Sequence, residues 1–316
     1  MKISEFAGYG DKMEHLMRSV QAGRIVHALL FVGPHGSGKR TMAKLFAQAT
    51  VCTGPEKPCG VCPACKRFLN GTHPDIHYVR PEKKSIGVDE VRALIDALSL
   101  RPYEGARHIA IIEQAEKLTP SAQNALLKTL ESPPGEVMFF LITDAPGSLL
   151  ATILSRCQAV RFTDLSVEEC AEVLERRGID PARARELAGM AQGSVGRALE
   201  IQADRDFGEL RERVLNSLDA LKDRASVAGA AAPLEEDKGQ EGAMLDIMEL
   251  WARDLMALQS GALPYQSGEQ ARLSRSRIDG RALLKGVLLA RMQLGSNVSW
   301  PNALENMYFH LTNTNP

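Results

Sequence analysis

One stretch of the sequence decides the fold: Gly33-Pro34-His35-Gly36-Ser37-Gly38-Lys39-Arg40-Thr41. An apolar run, Ala28–Val32, comes before it and is typical of a buried strand. Met42–Ala47 follows and is typical of the start of a helix. A strand, a glycine-rich turn, a lysine and a helix, in that order, form the context that a phosphate-binding P-loop requires. The sequence therefore predicts a P-loop between the first strand and the first long helix.

The chemistry of this loop suits an anion. Backbone N–H groups of the turn and of the helix N-terminus favour negative charge. Gly33, Gly36 and Gly38 allow the backbone to approach phosphates closely, and Lys39 is predicted to reach the terminal phosphates. The predicted nucleotide-binding residues are therefore these four and Thr41. The alternative is a glycine turn that binds no ligand.

Two positions depart from the pattern of an active P-loop ATPase. The residue whose hydroxyl should hold Mg²⁺ is Arg40, and a hydroxyl comes one residue late, at Thr41. One residue turns a side chain by about 100° around a helix, so Thr41 need not replace the missing group. After the apolar run His108–Ile112, where such enzymes usually carry Asp-Glu, the chain has Glu113-Gln114. Because an amide cannot accept a proton as a carboxylate does, the sequence predicts that ATP, if bound, is not hydrolysed.

Composition describes a globular protein of two or three domains. The chain has 316 residues, 44% hydrophobic and 24% charged residues, and a formal net charge of −1. Such a charge argues against binding nucleic acid by bulk electrostatics alone. A transmembrane run and the apolar core of a signal peptide are both missing from the sequence, so we expect a cytoplasmic protein.

Four cysteines are grouped as C-x6-C-x2-C-x2-C: Cys52, Cys59, Cys62 and Cys65. Turns that carry C-x-x-C place two thiolates on one ion, and Zn²⁺ prefers four tetrahedral ligands. The spacing therefore predicts a structural zinc module over residues 52–65. The alternatives are a redox pair, inert thiols, or a zinc knuckle that contacts nucleic acid.

Apolar runs predict a parallel α/β sheet. After the first strand we expect strands at Asp75–Arg80, His108–Ile112, Val137–Thr143 and Ala159–Phe162, with helices between them. Thr119 and Pro120 are typical of a helix N-terminus, and Ser166-Val167-Glu168-Glu169 is typical of a capping box that opens a helical segment.

Two stretches carry a resemblance to a known family. Asn124–Pro134 and Thr152–Cys157 are similar to motifs of the bacterial clamp-loader branch of the AAA+ ATPases, as is a zinc insert directly after the P-loop helix. The resemblance implies a RecA-like AAA+ core with a parallel sheet and a zinc insert over residues 1–163. It also implies a three-helix lid over 164–205 and a C-terminal all-α collar, through which subunits assemble, over 206–316.

The family resemblance gives Arg156 a role. In clamp loaders the arginine of the Ser-Arg-Cys motif reaches the nucleotide site of the adjacent subunit and stabilises charge on the transferring phosphoryl group. The alternative is an ordinary surface arginine. Gly193–Leu199 resembles the second phosphate sensor of the family, with its arginine displaced by one position, at Arg197.

The resemblance also implies partners and an activity. The altered loop resembles that of a non-hydrolysing subunit, which would assemble with gamma/tau and delta types of subunit into a ring of about five. Through that ring it would act on a sliding clamp and primer-template DNA, with no membrane partner. The alternative is an active gamma/tau-like ATPase that uses Thr41 and Glu113 to hold Mg²⁺.

The C-terminal part is predicted to be helical and has no catalytic motif. Amphipathic patterns predict helices at Arg205–Arg224, Met244–Leu258, Leu283–Leu294 and Pro301–Leu311. Residues 225–242 are rich in Ala, Gly and acids and have no aromatic residue, which predicts a loose connection. A self-contained helical bundle is the alternative to a collar.

Overall fold

The structure is a computed structural model that describes residues 16–19, 27–204, 206–236, 239–262, 264, 266 and 269–313. The chain divides into two units. The first contains residues 1–177 and 193–197, and the second contains residues 178–192 and 198–316.

A five-stranded parallel sheet forms the centre of the first unit. Its strands are β1 (Ala28–Val32), β2 (Ile76–Val79), β3 (His108–Ile112), β4 (Val137–Thr143) and β5 (Gln158–Arg161). The order across the sheet is β2-β3-β4-β1-β5, and every pairing is parallel. Parallel strands covered on both faces need continuous apolar sequence, and all residues of β3 and β4 are buried. The predicted α/β core of RecA-like type is confirmed.

Six helices of this unit have the following bounds: α1 (Lys39–Val51), α2 (Pro63–Leu69), α3 (Val88–Leu98), α4 (Pro120–Glu131), α5 (Ala151–Leu154) and α6 (Val167–Arg176). The predicted caps are present. Thr119 accepts a hydrogen bond from the N–H of Ala122, and Ser166 and Glu169 form a reciprocal capping box. Helix α2, inside the cysteine module, is an element that the sequence did not predict.

The second unit is built from helices around a core of its own. Helix α7 spans Pro181–Met190, and α8 (Val195–Ala203) begins in the first unit and ends in the second. The remaining helices are α9 (Phe207–Ala220), α10 (Val227–Glu235), α11 (Glu241–Gln259), α12 (Gln270–Arg275), α13 (Gly280–Gly295) and α14 (Trp300–Asn313). Trp251 and Tyr308 are the largest fully buried side chains in this core. Among the described residues, the helices are too short or too polar to cross a membrane.

The prediction of a loose connection over residues 225–242 is wrong, because helix α10 occupies much of it. Four residues on one face of α10 are buried in the helical core: Val227, Ala230, Ala231 and Leu234. Alanine is the strongest helix former, and its small side chain lets α10 pack closely against α9 and α14. The neighbouring helices supply the large apolar side chains that α10 lacks. The indole N–H of Trp300 also donates a hydrogen bond to the carbonyl of Leu234 at 2.7 Å.

Gly229 tests whether α10 is a helix in solution. A methyl group added there would meet no atom within 4 Å. We expect Gly229→Ala to raise the free energy of unfolding by about 1 kcal/mol, because alanine favours the helix and restricts the unfolded chain. The same change at Gly239, which also has open space but a φ of +92°, should lower stability. Urea denaturation measures both, and a neutral Gly229→Ala would contradict a helical α10.

Candidate functional site

The predicted P-loop lies between β1 and α1, as expected. Gly36 has a φ of 80° and Gly38 a φ of 89°, values that residues with a side chain rarely adopt. Gly38 is also the N-cap of α1, so the turn leads directly into the helix N-terminus. Two of the three predicted glycines, Gly36 and Gly38, are therefore required by the backbone path of the turn.

Lys39 is held by the loop itself. Its Nζ donates to the carbonyl oxygens of Gly33 at 2.8 Å and Pro34 at 2.6 Å. It also lies 2.8 Å from Oδ1 of Asp144, which directly follows β4. The Lys39 side chain is only 5% exposed, and the carboxylate of Asp144 balances its charge. Sequence reasoning missed Asp144, although its place one residue after a strand end is a usable signal.

Arg40, which replaces the hydroxyl residue of an active P-loop, pairs with the acid that follows β3. The Nε atom of Arg40 lies 2.7 Å from Oε1 of Glu113, which follows β3. The pair brings together the residue at the Mg²⁺-hydroxyl position and the acid at the end of β3. Thr41 lies one residue further along α1 and is half-buried. Gln114 adopts a left-handed conformation with a φ of 52° and begins a short 3-10 turn.

The start of α8 and the residues just before it pack against the tip of the P-loop. The N–H of Gly196 donates to the carbonyl of Gly36 at 3.0 Å, and the hydroxyl of Ser194 donates to the carbonyl of His35 at 3.0 Å. A Cβ atom on Gly196 would lie 2.5 Å from the Cα of Gly36, so the two backbones touch. The sequence did not predict this contact. The sequence feature that marks this contact is the Gly193-Ser194-Val195-Gly196 pattern.

Asp164 interacts electrostatically with one cation of the P-loop and one of the α8 region. Burial raises the pKa of Asp164, while the charges of Lys39 and Arg197 act in the opposite direction. The Asp164 carboxyl is therefore close enough to both cations for their charges to favour its ionised form. Arg197, the displaced arginine of the predicted second sensor, belongs to the same unit as the P-loop.

Arg156 lies just after α5, on the surface. Its Nη1 donates to the carbonyl of Thr152 at 2.9 Å and to the hydroxyl of Ser155 at 3.3 Å. Its Nη2 pairs with the carboxylate of Glu131, the last residue of α4. The side chain is 31% exposed. The Arg156 side chain is therefore partly accessible to solvent while it is anchored to its own backbone.

The four predicted metal ligands come together. The Sγ atoms of Cys52, Cys59, Cys62 and Cys65 all lie within 4.8 Å of one another. A tetrahedral Zn²⁺ with Zn–S bonds of about 2.3 Å separates its sulfurs by about 3.8 Å, which the cluster can reach with small shifts. The side chain of Cys62 caps α2 by accepting a hydrogen bond from the backbone N–H of Cys65. This bond places the last two thiols in one turn. The residues fit a metal ion with four thiolate ligands.

The electrostatics of the cluster also fit a cation. Burial opposes ionisation of Cys62, but backbone N–H groups of Cys65 and Thr53 lower its pKa to about 5. Burial raises the pKa of Cys65 to about 12. One thiol is therefore stabilised as a thiolate, while its neighbour resists ionisation chiefly because it is buried and also because of the cysteines beside it. A bound cation removes that conflict.

Comparison with known proteins decides the family. Residues 9–166 match the family model described as "DNA polymerase III, delta subunit". DNA polymerase III subunit delta' of Bacillus subtilis is 32% identical over 312 residues, which cover 95% of this chain and 94% of that protein. The chain belongs to the delta-prime family of DNA polymerase III subunits.

Other relatives are similar to shorter parts of this chain. Subunit delta' of Escherichia coli is 37% identical over 60% of this chain and 58% of that protein. Subunit tau of Bacillus subtilis is 38% identical over 47% of this chain and 27% of that protein. Among solved structures, a RuvB variant of Thermotoga maritima aligns with a TM-score of 0.48 at 16% identity, covering 96% of this chain and 90% of that one.

The contact between Gly36 and Gly196 can be tested by substitution. We expect Gly196→Ala to lower the free energy of unfolding by about 1–3 kcal/mol, because the added methyl group would force two backbones apart. Gly208→Ala is the matched control, since a methyl group there meets nothing within 4 Å. Thermal denaturation of both variants distinguishes them, and equal midpoints would argue against the contact.

The cysteine cluster predicts metal-dependent stability. We expect Cys59→Ser to reduce bound metal by at least half, measured by elemental analysis, because it removes one of four ligands. Chelation should lower the melting temperature of the unmodified protein for the same reason. Cys157→Ala, which changes a buried cysteine outside the cluster, should leave the metal content unchanged. Full metal content in Cys59→Ser would contradict a four-cysteine site.

Proposed function

We propose that this chain is a non-hydrolysing subunit of a replicative clamp loader, which helps to load the sliding clamp on primed DNA. In that role it supplies Arg156 as an arginine finger to the ATPase site of a neighbouring subunit. The ion pair between Arg40 and Glu113 is the observation that carries the first half of the proposal. Membership of the delta-prime family is consistent with both halves.

The argument from the ion pair is electrostatic. A hydrolysing P-loop enzyme places a hydroxyl and a carboxylate beside Mg²⁺, so that the metal can neutralise charge on the phosphates. Here Arg40 brings a fixed positive charge to the hydroxyl position and neutralises Glu113. A divalent cation at the same place would be repelled by the guanidinium. Gln114 adds a second obstacle, because its amide cannot take a proton from water.

Nucleotide binding without turnover remains compatible with the loop. Phosphates entering the turn would have to replace the carbonyl oxygens of Gly33 and Pro34 and the carboxylate of Asp144 as partners of Lys39. We therefore assign Gly33, Gly36, Gly38, Lys39 and Thr41 to a phosphate site that keeps its backbone geometry but lacks hydrolytic chemistry. ATP would act there as a structural ligand.

The partners follow from the same proposal. Subunits of gamma/tau and delta types would form a ring of about five with this chain, through the helical collar over 206–316. The core over 1–163 and the lid over 164–205 would face the neighbours, the sliding clamp and primer-template DNA. Arg156 supports this assignment because it is exposed at one surface and follows the family motif.

We propose Zn²⁺ as the metal of the cysteine module, in a structural role. Four thiolates in tetrahedral array suit Zn²⁺, which has no open position left for catalysis in such a site. Helix α2 carries Cys65, so metal binding would fix its orientation. The metal would then contribute folding energy and no chemistry.

ATP hydrolysis tests the proposal in two steps. The isolated chain should show no ATPase activity. In a complex reconstituted with motor subunits, clamp and primed DNA, Arg156→Ala should slow hydrolysis by about 10³-fold at the site that it contacts, because the developing charge loses its partner. Arg176→Ala, which changes a surface arginine paired with Glu172, is the control.

Two outcomes would overturn the proposal. Unchanged turnover in the complex with Arg156→Ala would remove the arginine finger. ATPase activity of the isolated chain that Lys39→Ala abolishes would support the gamma/tau-like alternative instead.

A further inference from the structure

The guanidinium of Arg156 is bound by its own chain on two sides. Nη1 contacts the backbone carbonyl of Thr152, and Nη2 contacts the carboxylate of Glu131. The first contact anchors the side chain to the turn that carries it. The second is different, because Glu131 lies 25 residues away in sequence, at the end of another helix.

The position of Glu131 needs an explanation. It is the last residue of α4, where unpaired carbonyl groups make the helix end negative and disfavour a carboxylate. A lysine or arginine is the usual choice at such a position. Pairing with Arg156 offsets the repulsion and is the contact that the structure shows for this carboxylate.

The pair does not satisfy the guanidinium completely. Within the described part of the chain, the Nε atom of Arg156 is buried and finds no hydrogen-bond acceptor. A buried N–H without a partner is unfavourable, so this arrangement is not the best that the side chain could make. Since Glu131 is 51% exposed and Arg156 31% exposed, water also weakens the ion pair.

We propose that Glu131 is a positioning residue that holds Arg156 in a retracted state and releases it to the phosphates of the neighbouring subunit. The proposal rests on the arginine-finger function proposed above. The exposed carboxylate of Glu131 binds the guanidinium of Arg156 only weakly. The terminal phosphates of ATP carry more charge in a less hydrated site, so they bind the same guanidinium more strongly. Glu131 therefore sets how large a fraction of the chains has an available finger before assembly is complete.

Release of Arg156 can be measured on the isolated chain. Phenylglyoxal modifies accessible arginines, and peptide mass spectrometry gives the rate at each one. We expect Glu131→Gln to increase the modification rate of Arg156 about two- to fivefold, the range of an exposed ion pair. Glu136→Gln is the matched control, because Glu136 is an exposed partner of a different arginine, Arg107. It should leave the rate at Arg156 unchanged.

The consequence for the neighbour is measured in the reconstituted complex. We expect Glu131→Gln to raise ATP hydrolysis without DNA by about two- to fivefold, because fewer fingers are retracted. Hydrolysis stimulated by clamp and primed DNA should change less than twofold, because assembly already engages the finger. In an Arg156→Ala background, Glu131→Gln should have no effect, since no finger remains to be released.

The outcomes separate this inference from the proposed function. An unchanged modification rate at Arg156, or a rise in hydrolysis that persists in the Arg156→Ala background, would overturn the role of Glu131. A fall in hydrolysis on Glu131→Gln would overturn it too, because a retracting residue cannot be required for catalysis. If Arg156→Ala alone leaves turnover unchanged, the arginine finger fails, and the modification rate still decides whether Glu131 holds Arg156.

Discussion

The parallel pairing of β1 with β4 and β5 is the constraint on which the rest of the structure depends. Parallel strands end at the same edge of a sheet, so the residues that follow them converge. The P-loop follows β1, Glu113 follows β3 and Asp144 follows β4. The ion pairs of Lys39 and Arg40 are possible because the register brings these ends within reach of α1.

Three cations, two in the P-loop segment and one in the Ser-Arg-Cys motif, are paired with carboxylates of this chain. Lys39 pairs with Asp144, Arg40 with Glu113, and Arg156 with Glu131. The pairs differ in burial, and therefore in strength. Lys39 is enclosed by its loop, whereas the Arg156 pair is exposed to water and correspondingly weak. Under the proposed function, this difference separates a cation that stabilises the loop from one that can be released to a neighbouring subunit.

Much of the site was predictable because its signals are local. The strand–turn–helix context of residues 28–47 and the spacing of the four cysteines depend on short-range geometry, which sequence patterns describe well. The family motif around Arg156 was visible in the same way. The failure at residues 225–242 has an equally physical origin. Alanines in α10 provide little apolar bulk, and their burial depends on side chains from α14, which lies far away in sequence.

The sequence by itself determined the P-loop unit, the α/β core, the cluster of four cysteines and the family, because each depends on patterns of residues close together along the chain. Only the tertiary structure decided which charges are already neutralised. Asp144, Glu113 and Glu131 meet their cations across strand ends and helix ends, up to 105 residues apart in the case of Lys39 and Asp144. Such pairs depend on sheet register and helix packing, which spacing along the chain does not encode. The contact of Gly196 with Gly36 could not be predicted from the sequence for the same reason. Two backbones that approach each other closely leave no sequence pattern except two glycines.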